Sequence, residues 1–505
     1  MKTYYDYMNE LSQEDLRRGL LAHGMFADKL PKFLTSENFY NYCHQNNFRL
    51  NFTSNMGWDY VRYDSMRNTN VPRALGIPTP FAYYNLSECI VKNWDNIKQH
   101  FQNKTSREKF KRSQIHIQKR SNGVHLFEMS ANYKDVDEDT IEMIQKLPIG
   151  CLYKVETDIS SCFPSVYSHA LPWALVGKEV AKSNRNDSIW YNQLDKCSRQ
   201  TKYNETCGLL IGPHASNLLS EIVLTSVDYE LSDYNYMRYI DDITYYAKSE
   251  DEAELFIRKL SIELKKYELL LNTQKTRLTR LPLPVGEDWI NTLNSFYIEK
   301  EYTTDGKQIF RYARLKAYID LAINLARSTG NTSVYTYMLK VVSNYHLGKK
   351  SLGYYVDVMH HLLLTFPYLV HWFDEYIFDR FNIEIEKIKE IASQLYKIGI
   401  DKSNYEASAF ALYWSIKYNF DLDKIDLVQN AIDSEDCILL LLTYIRNKHI
   451  KEDKRKLQEE AKKYLQKDMD RYWLFVYEVL PKTSLSGDYK NLKNNNISFV
   501  KSINK

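Results

Sequence analysis

The chain has 505 residues, of which 44% are hydrophobic and 26% charged, with 67 Lys and Arg against 64 Asp and Glu. Such a length exceeds one core and implies two or three domains, and the ordinary composition excludes a disordered or low-complexity chain. Balanced charge confines any nucleic-acid contact to a local patch, and no apolar run is long enough to span a bilayer.

The start, "MKTYYDYMNELSQEDLRRG", lacks the apolar stretch of a secretion signal, so the chain is expected in the cytoplasm. Residues 1–50 read as short helices, with "LTSENFYNYCHQ" opening on a Ser/Thr cap signal. From 51 to 281 strand-like runs such as "CLYKVETDIS" and "MRYIDDITYYAKS" alternate with helical stretches, an α+β texture. The proline-rich break "RLPLPVGEDW" ends that region, and 282–505 reads as helical.

Within the helical part, Leu315, Tyr318, Ile319, Ala322, Ile323 and Ala326 form one apolar stripe. Val334, Tyr337, Met338, Val341, Val342 and Tyr345 form a second across the turn "STGNTS". Repeated helix pairs of this kind predict a solenoid-like stack, with a plain helical bundle as the alternative. The seven cysteines are scattered, with no C-x-x-C pair, which argues against structural zinc and a disulfide framework.

"RYIDDITYYAKS" (238–249) sets two adjacent carboxylates, Asp241 and Asp242, between two strand-like runs. Adjacent aspartates can simply be hairpin-turn residues. Upstream, "YKVETDISSCFPSVYSHAL" puts Asp158 at the end of another strand-like run. Two divalent cations about 3.5–4 Å apart need several carboxylates from different segments, and Asp158, Asp241 and Asp242 would supply them. The chemistry of such a metal pair includes nucleotidyl transfer.

With these residues the chain resembles a reverse transcriptase. Asp158 matches the family's first metal-binding motif, Phe163 its aromatic position five residues on, and "YIDD" its Y-x-D-D motif. "GLLIGPHASNLLSEIVL" is similar to P-Q-G-x-x-x-S-P, with Gly212 and Ser216 in register. Ile211 and Asn217 depart from it, where glutamine and proline are usual. "LLLNTQKT" resembles L-N-x-x-K-T and supplies Lys275; "MRNTNVPRALGIPTP" resembles the finger segment R-x-L-x-I-P and supplies Arg73 and Arg67 toward a triphosphate. The resemblance implies catalysis and metal binding by Asp158, Asp241 and Asp242, two Mg²⁺ ions or Mn²⁺ in their place, and deoxynucleoside triphosphate substrates. Arg73, Arg67, Phe163, Gly212, Ser216 and Lys275 would contact the nucleotide, Phe163 excluding a 2′-hydroxyl. The basic run "KTSREKFKRSQIHIQKR" (104–120) is either a phosphate contact or a solvated helix face.

After the lysine motif there is no zinc-binding endonuclease signature, no V-T-G segment and no ribonuclease H carboxylate set, only helices. That arrangement resembles the bacterial abortive-infection (Abi) reverse transcriptases, of the AbiK/AbiA-like, prophage-encoded type. The resemblance implies right-hand-type fingers and palm followed by a HEAT-like α-helical repeat domain in place of a thumb. It further implies antiphage defence, a homo-oligomer, and untemplated synthesis of single-stranded DNA attached to a tyrosine. A primer must be able to move as product grows, and termini are mobile, so Tyr4, Tyr5, Tyr7, Tyr40 and Tyr42 are the priming candidates. An ordinary RNA-templated reverse transcriptase and a nucleic-acid-binding defence scaffold without synthesis are the alternatives.

Overall fold

The computed structural model describes residues 3–45, 56–68, 71–108, 111–117, 127–129, 138–283, 287–422 and 426–503. Two compact units emerge. The first comprises Met1–Arg62, Leu75–Leu283 and Tyr464–Lys501, and the second Tyr63–Ala74, Pro284–Lys463 and Ser502–Lys505. This differs from three consecutive segments divided at 50 and 281: the N-terminal helices and the stretch 464–501 fold with the sheet-bearing unit.

Aromatic burial explains the return of the C-terminal stretch. Trp473, Phe475, Tyr477 and Phe499 are buried in the first unit, and Phe499 packs against both Trp473 (4.9 Å between ring centroids) and Phe39 (5.6 Å). Its backbone is tied as well, since Thr35 N–H donates to the Phe499 carbonyl and Lys501 N–H to that of Phe33, both at 2.9 Å. Each such aromatic removes a large apolar area from water, far more than a surface helix end would gain.

In chain order the strands are β1 (Tyr60–Ser65), β2 (Arg73–Pro78), β3 (Ile115–Ile117), β4 (Phe127–Met129), β5 (Tyr153–Asp158), β6 (Tyr236–Tyr239), β7 (Asp242–Ala247) and β8 (Arg277–Arg280). β1 with β2 and β3 with β4 form two-stranded sheets, and the remaining four form one sheet in the order β6-β7-β5-β8. Every pairing in that sheet is antiparallel. Alternation writes β7 into it: Ile243, Tyr245 and Ala247 are buried, while Thr244 and Tyr246 between them are not.

Two helices underlie the first unit. His214–Glu230 is buried on nearly all sides, as a core helix must be. Glu250–Lys265, capped by Ser249, brings Phe256 under the sheet, where its ring stacks on Tyr245 at 4.3 Å and meets Tyr234 and Tyr236.

Among the described residues from 287 to 463 the second unit is mainly helical, apart from the non-helical stretch 295–311. The helix pair read from the apolar stripes forms as expected: Tyr312–Thr329 buries Leu315, Tyr318, Ile319, Ala322 and Ala326, and Ser333–Val342 buries Val334, Met338 and Val342. Ile323, Tyr337, Val341 and Tyr345 are only partly covered. Between the two helices Gly330 takes φ +68°, a left-handed helix end that glycine adopts at no steric cost. Further neighbours pack likewise, Ile385–Asp401 against Tyr405–Lys417 and the latter against Cys437–His449. No helix among the described residues is long and apolar enough to cross a membrane.

Candidate active site

The sheet brings Asp158 and Asp242 together by backbone register. Asp158, the last residue of β5, lies directly opposite Asp242, the first of β7. Asp241 sits one residue earlier, in the two-residue turn Ile240–Asp241 that joins β6 to β7. Ile159 N–H donates to the Asp241 carbonyl at 3.1 Å, so the turn is fastened to the residue that follows Asp158.

That turn is strained. Ile240 has φ +53°, a conformation that costs a β-branched residue about 1–3 kcal/mol and persists only where the surroundings enforce it. Arg238 is what enforces it. Its guanidinium is fully buried; Nη1 donates to the Ile240 carbonyl at 3.0 Å and to Glu221 Oε1 at 2.7 Å, and Nη2 donates to Asp228 Oδ2 at 2.7 Å. Glu221 and Asp228 come from the buried helix His214–Glu230, so one arginine connects the core to the carboxylate turn. Tyr236 Oη adds a bond to Asp228 Oδ1 (2.5 Å) and Tyr4 Oη one to Glu221 Oε2 (2.8 Å), which leaves neither buried carboxylate alone.

Asp158 is buried, with one oxygen engaged and one not. Oδ2 accepts from Lys275 Nζ at 2.6 Å and from Asn272 Nδ2 at 3.3 Å, and Asn272 N–H donates to the Asp158 carbonyl at 2.7 Å. Oδ1 is buried without a hydrogen-bond partner. Burial, and after it the Asp158 charge, pushes the Asp241 carboxyl up to about 6. Asp242 is raised by the same two causes in the same order, against the pull of Lys275.

Concentrated negative charge of this kind, made wholly of carboxylate oxygens with one buried oxygen unsatisfied, suits hard divalent cations such as Mg²⁺. The carboxylates do not, however, form a closed cage as they stand. Among the described residues no group of three or more His, Cys, Asp or Glu side chains is placed to hold one ion, and Lys275 takes Asp158 Oδ2 instead.

The other expected site residues are distributed unevenly. Phe163 is half-buried in the short helix Cys162–Ser165, four residues after β5 ends. Gly212 has φ +125°, where any other residue would be strained, and a Cβ there would come within 3.0 Å of the Ala27 side chain. Ser216 is buried in the first turn of the helix His214–Glu230, and Asn217 beside it is partly exposed. Arg67 follows β1 and Arg73 opens β2, both within the second unit.

The basic run and the candidate tyrosines are divided between buried and exposed positions, with Lys104 partly exposed and Arg107 exposed. Lys111 and Arg112 are buried, and Arg112 donates to the carbonyls of Asp228, Ser232 and Tyr234, so they brace the core instead of facing phosphates. Lys109, Lys119 and Arg120 lie outside the described residues. Tyr4 is 2% exposed, with burial and then the Glu221 charge raising its hydroxyl well above the usual range. Tyr40 is buried too, its hydroxyl bonded to Glu14 at 2.5 Å and pushed up to about 12. A capping box at Thr3 and Asp6 makes a helix of Tyr4–Asn9 that buries Tyr4 and Met8, and Tyr40 lies on the buried side of another helix, Glu37–Gln45, with Phe39 and Cys43. Tyr5, Tyr7 and Tyr42 remain partly exposed.

Residues 86–312 match the family model of reverse transcriptase (RNA-dependent DNA polymerase). The match takes in the sheet, all three aspartates and Lys275, and begins after Arg67 and Arg73. A reverse transcriptase domain implies nucleotidyl transfer onto nucleic acid from nucleotide substrates, and such domains generally use divalent metals.

Among solved structures, the chain is similar to apo telomerase from Candida tropicalis truncated from its C-terminal domain, at 14% identity and TM-score 0.28. That similarity covers 49% of this chain and 55% of the telomerase chain. A second apo telomerase structure from the same organism gives 12% identity and TM-score 0.27 over 79% and 72%. The chain thus spans about half the length of the first, and at these TM-scores neither carries an argument. No curated protein matches.

Arg238, Glu221 and Asp228 escaped the motif reading, and Asn272, the asparagine of "LLLNTQKT", was given no role in it. A signal did exist: two acids seven residues apart share a face of an otherwise apolar helix, and buried acids demand a cation.

Proposed function

We propose that this chain is a DNA polymerase of the reverse transcriptase type in bacterial antiphage defence. It adds deoxynucleotides without a template, starting from one of its own tyrosines. What carries the polymerase part is the cross-strand pairing of Asp158 with Asp242, with Asp241 in the turn between strands and a lysine on Asp158.

Asp158, Asp241 and Asp242 would hold the divalent cations. Bound there, such cations lower the pKa of an attacking hydroxyl and offset the charge of a leaving pyrophosphate. Arg238 fixes the turn that presents Asp241 and Asp242. The exposed side chain of Lys275 can leave Asp158 for a triphosphate. Phe163 stands against a 2′-hydroxyl. The helix pairs of the second unit are read as a HEAT-like repeat taking the place of a thumb.

Untemplated, protein-primed synthesis and defence rest on the resemblance to the abortive-infection reverse transcriptases. Of the N-terminal tyrosines, partly exposed Tyr5, Tyr7 and Tyr42 are the ones a growing strand could leave from. The test incubates purified chain with labelled deoxynucleotides and Mg²⁺, without template or primer, and runs the product on a denaturing gel before and after nuclease. Label that migrates with protein and collapses to one tyrosine peptide supports this reading. Label that runs free, or needs an added template, returns the chain to ordinary templated synthesis. No incorporation under any condition leaves a binding scaffold.

A further inference from the structure

Beyond the carboxylate site the first unit contains a cavity of about 320 Å³ lined by three cationic side chains, Lys182, Arg185 and Arg199, and by Tyr167, His169 and Trp173. None of these residues belongs to the catalytic set. The cavity's chemistry is nevertheless specific. Its floor is built on one buried carboxylate, Asp195, 5% exposed, whose Oδ2 lies 2.6 Å from His169 Nδ1 and whose Oδ1 accepts from Arg199 Nε at 3.2 Å. A carboxylate only accepts, so Nδ1 carries the proton and Nε2 is left as the open nitrogen of the ring.

The rim is cationic and incompletely neutralised. Asp187 is paired with Lys196 at 3.2 Å, whereas Lys182 and Arg185 have no carboxylate partner among the described residues. Arg185 Nε donates only to the Lys182 carbonyl, and Lys182 approaches the Trp173 ring, which Lys178 already caps at 3.9 Å. Trp173 and Tyr167 lie 5.5 Å apart and tilted, an aromatic wall beside the cations.

An aromatic wall next to unpaired cations is what a nucleobase joined to a phosphate requires: the ring lies on the wall and the phosphate takes charge-assisted bonds from lysine and arginine. The volume is near the lower end for a small-molecule site, room for one nucleotide unit and not for an extended strand. We infer that this cavity binds a single nucleoside 5′-phosphate unit, either a free mononucleotide or the phosphorylated 5′ end of a single strand. The phosphate sits on Lys182 and Arg185, and His169 Nε2 meets the sugar or the base.

The test measures equilibrium binding to the full chain in EDTA, which separates it from synthesis at the carboxylates. The probes are deoxyadenosine monophosphate, deoxyadenosine, inorganic phosphate, and a short oligothymidylate with and without its 5′-phosphate. Deoxyadenosine monophosphate is expected to bind saturably, with the nucleoside and phosphate alone each at least about tenfold weaker. Lys182→Ala with Arg185→Ala alters two exposed residues, so the fold should persist; it is expected to weaken binding by roughly tenfold while deoxynucleotide incorporation is unchanged. Trp173→Leu should weaken it through the ring, and Asp242→Asn should leave it alone. A phosphorylated strand binding more tightly than its unphosphorylated twin identifies the strand end, and binding of the mononucleotide alone identifies the free nucleotide. Absence of binding, or binding insensitive to both the double variant and Trp173→Leu, overturns the inference; binding lost only in Asp242→Asn assigns it to the carboxylate site.

Discussion

Lys275 and Asp158 form an ion pair 2.6 Å long in which the partners differ sharply in exposure: the lysine side chain is 59% exposed and the aspartate 7%. The cation can therefore leave toward solvent or ligand while the carboxylate cannot follow. Because the lysine is so exposed, the pair adds less than about 1 kcal/mol to stability. Lys275→Gln is accordingly expected to shift urea unfolding by no more than that, yet to cut deoxynucleotide incorporation at least about tenfold by removing positive charge at the reacting phosphates. Loss of stability without loss of rate would make Lys275 a structural lysine.

Asp158→Asn and Asp242→Asn should each reduce incorporation by at least about a hundredfold, since the charge that holds divalent cations is lost. Neither should lower the melting temperature. Asn is isosteric, and at Asp158 it removes a buried charge whose Oδ1 has no partner. Mg²⁺-dependent incorporation and circular dichroism melts decide it. Near-parental activity in either variant refutes the metal-ligand assignment.

Phe163 is half-buried in the turn of helix after β5. If its ring rejects a 2′-hydroxyl by steric clash, Phe163→Ala should raise the ratio of ribonucleotide to deoxynucleotide incorporation by about tenfold or more, the scale of a lost specificity contact. An unchanged ratio in an active variant assigns the ring to packing alone.

Arg238→Met should be the costliest of these substitutions. It leaves Glu221 and Asp228 buried without their cation, a loss of about 3–5 kcal/mol, and frees the strained Ile240 turn. Chemical denaturation should register the loss, and incorporation should fall even at temperatures where the variant is folded. Adding Glu221→Gln and Asp228→Asn should recover stability, because the uncompensated charges go, but not activity, because the turn stays loose. Recovery of both would reduce Arg238 to a fold-stabilising residue.

His100 supplies a pH dependence. It is 6% exposed, its Nε2 lies 3.0 Å from the Ile222 carbonyl, and burial pushes its pKa down from 6.5 to about 4. The unfolded chain therefore binds a proton that the folded chain refuses between those values. Stability from His100 is fully present above about 6.5 and is lost as pH falls toward about 4, by about 3 kcal/mol in all. His100→Gln retains a donor for Ile222 and should flatten the profile of urea midpoints over that window. A slope unchanged by the substitution refutes the assignment.

The sequence by itself determined the elements and the order of the chemistry-bearing residues. Period-two alternation placed β7 and the end of β5, the 3.6-residue stripes placed Tyr312–Thr329 and Ser333–Val342, and both follow from which side chains avoid water. Asp158, Asp241 and Asp242 stood out because carboxylates at the ends of two strand-like runs, in order with the motifs around them, fit a divalent-cation site. Tertiary structure alone decided which partner each group meets. That Asp158 faces Asp242 depends on antiparallel register between residues 84 apart in the chain (242 minus 158), which no local pattern encodes. That Lys111, Arg112 and Tyr4 turn inward, and that 464–501 joins the sheet-bearing unit, depends on where the core has aromatic surface and buried carboxylates to satisfy. Burial and pairing are properties of two segments at once, and a linear pattern records only one of them.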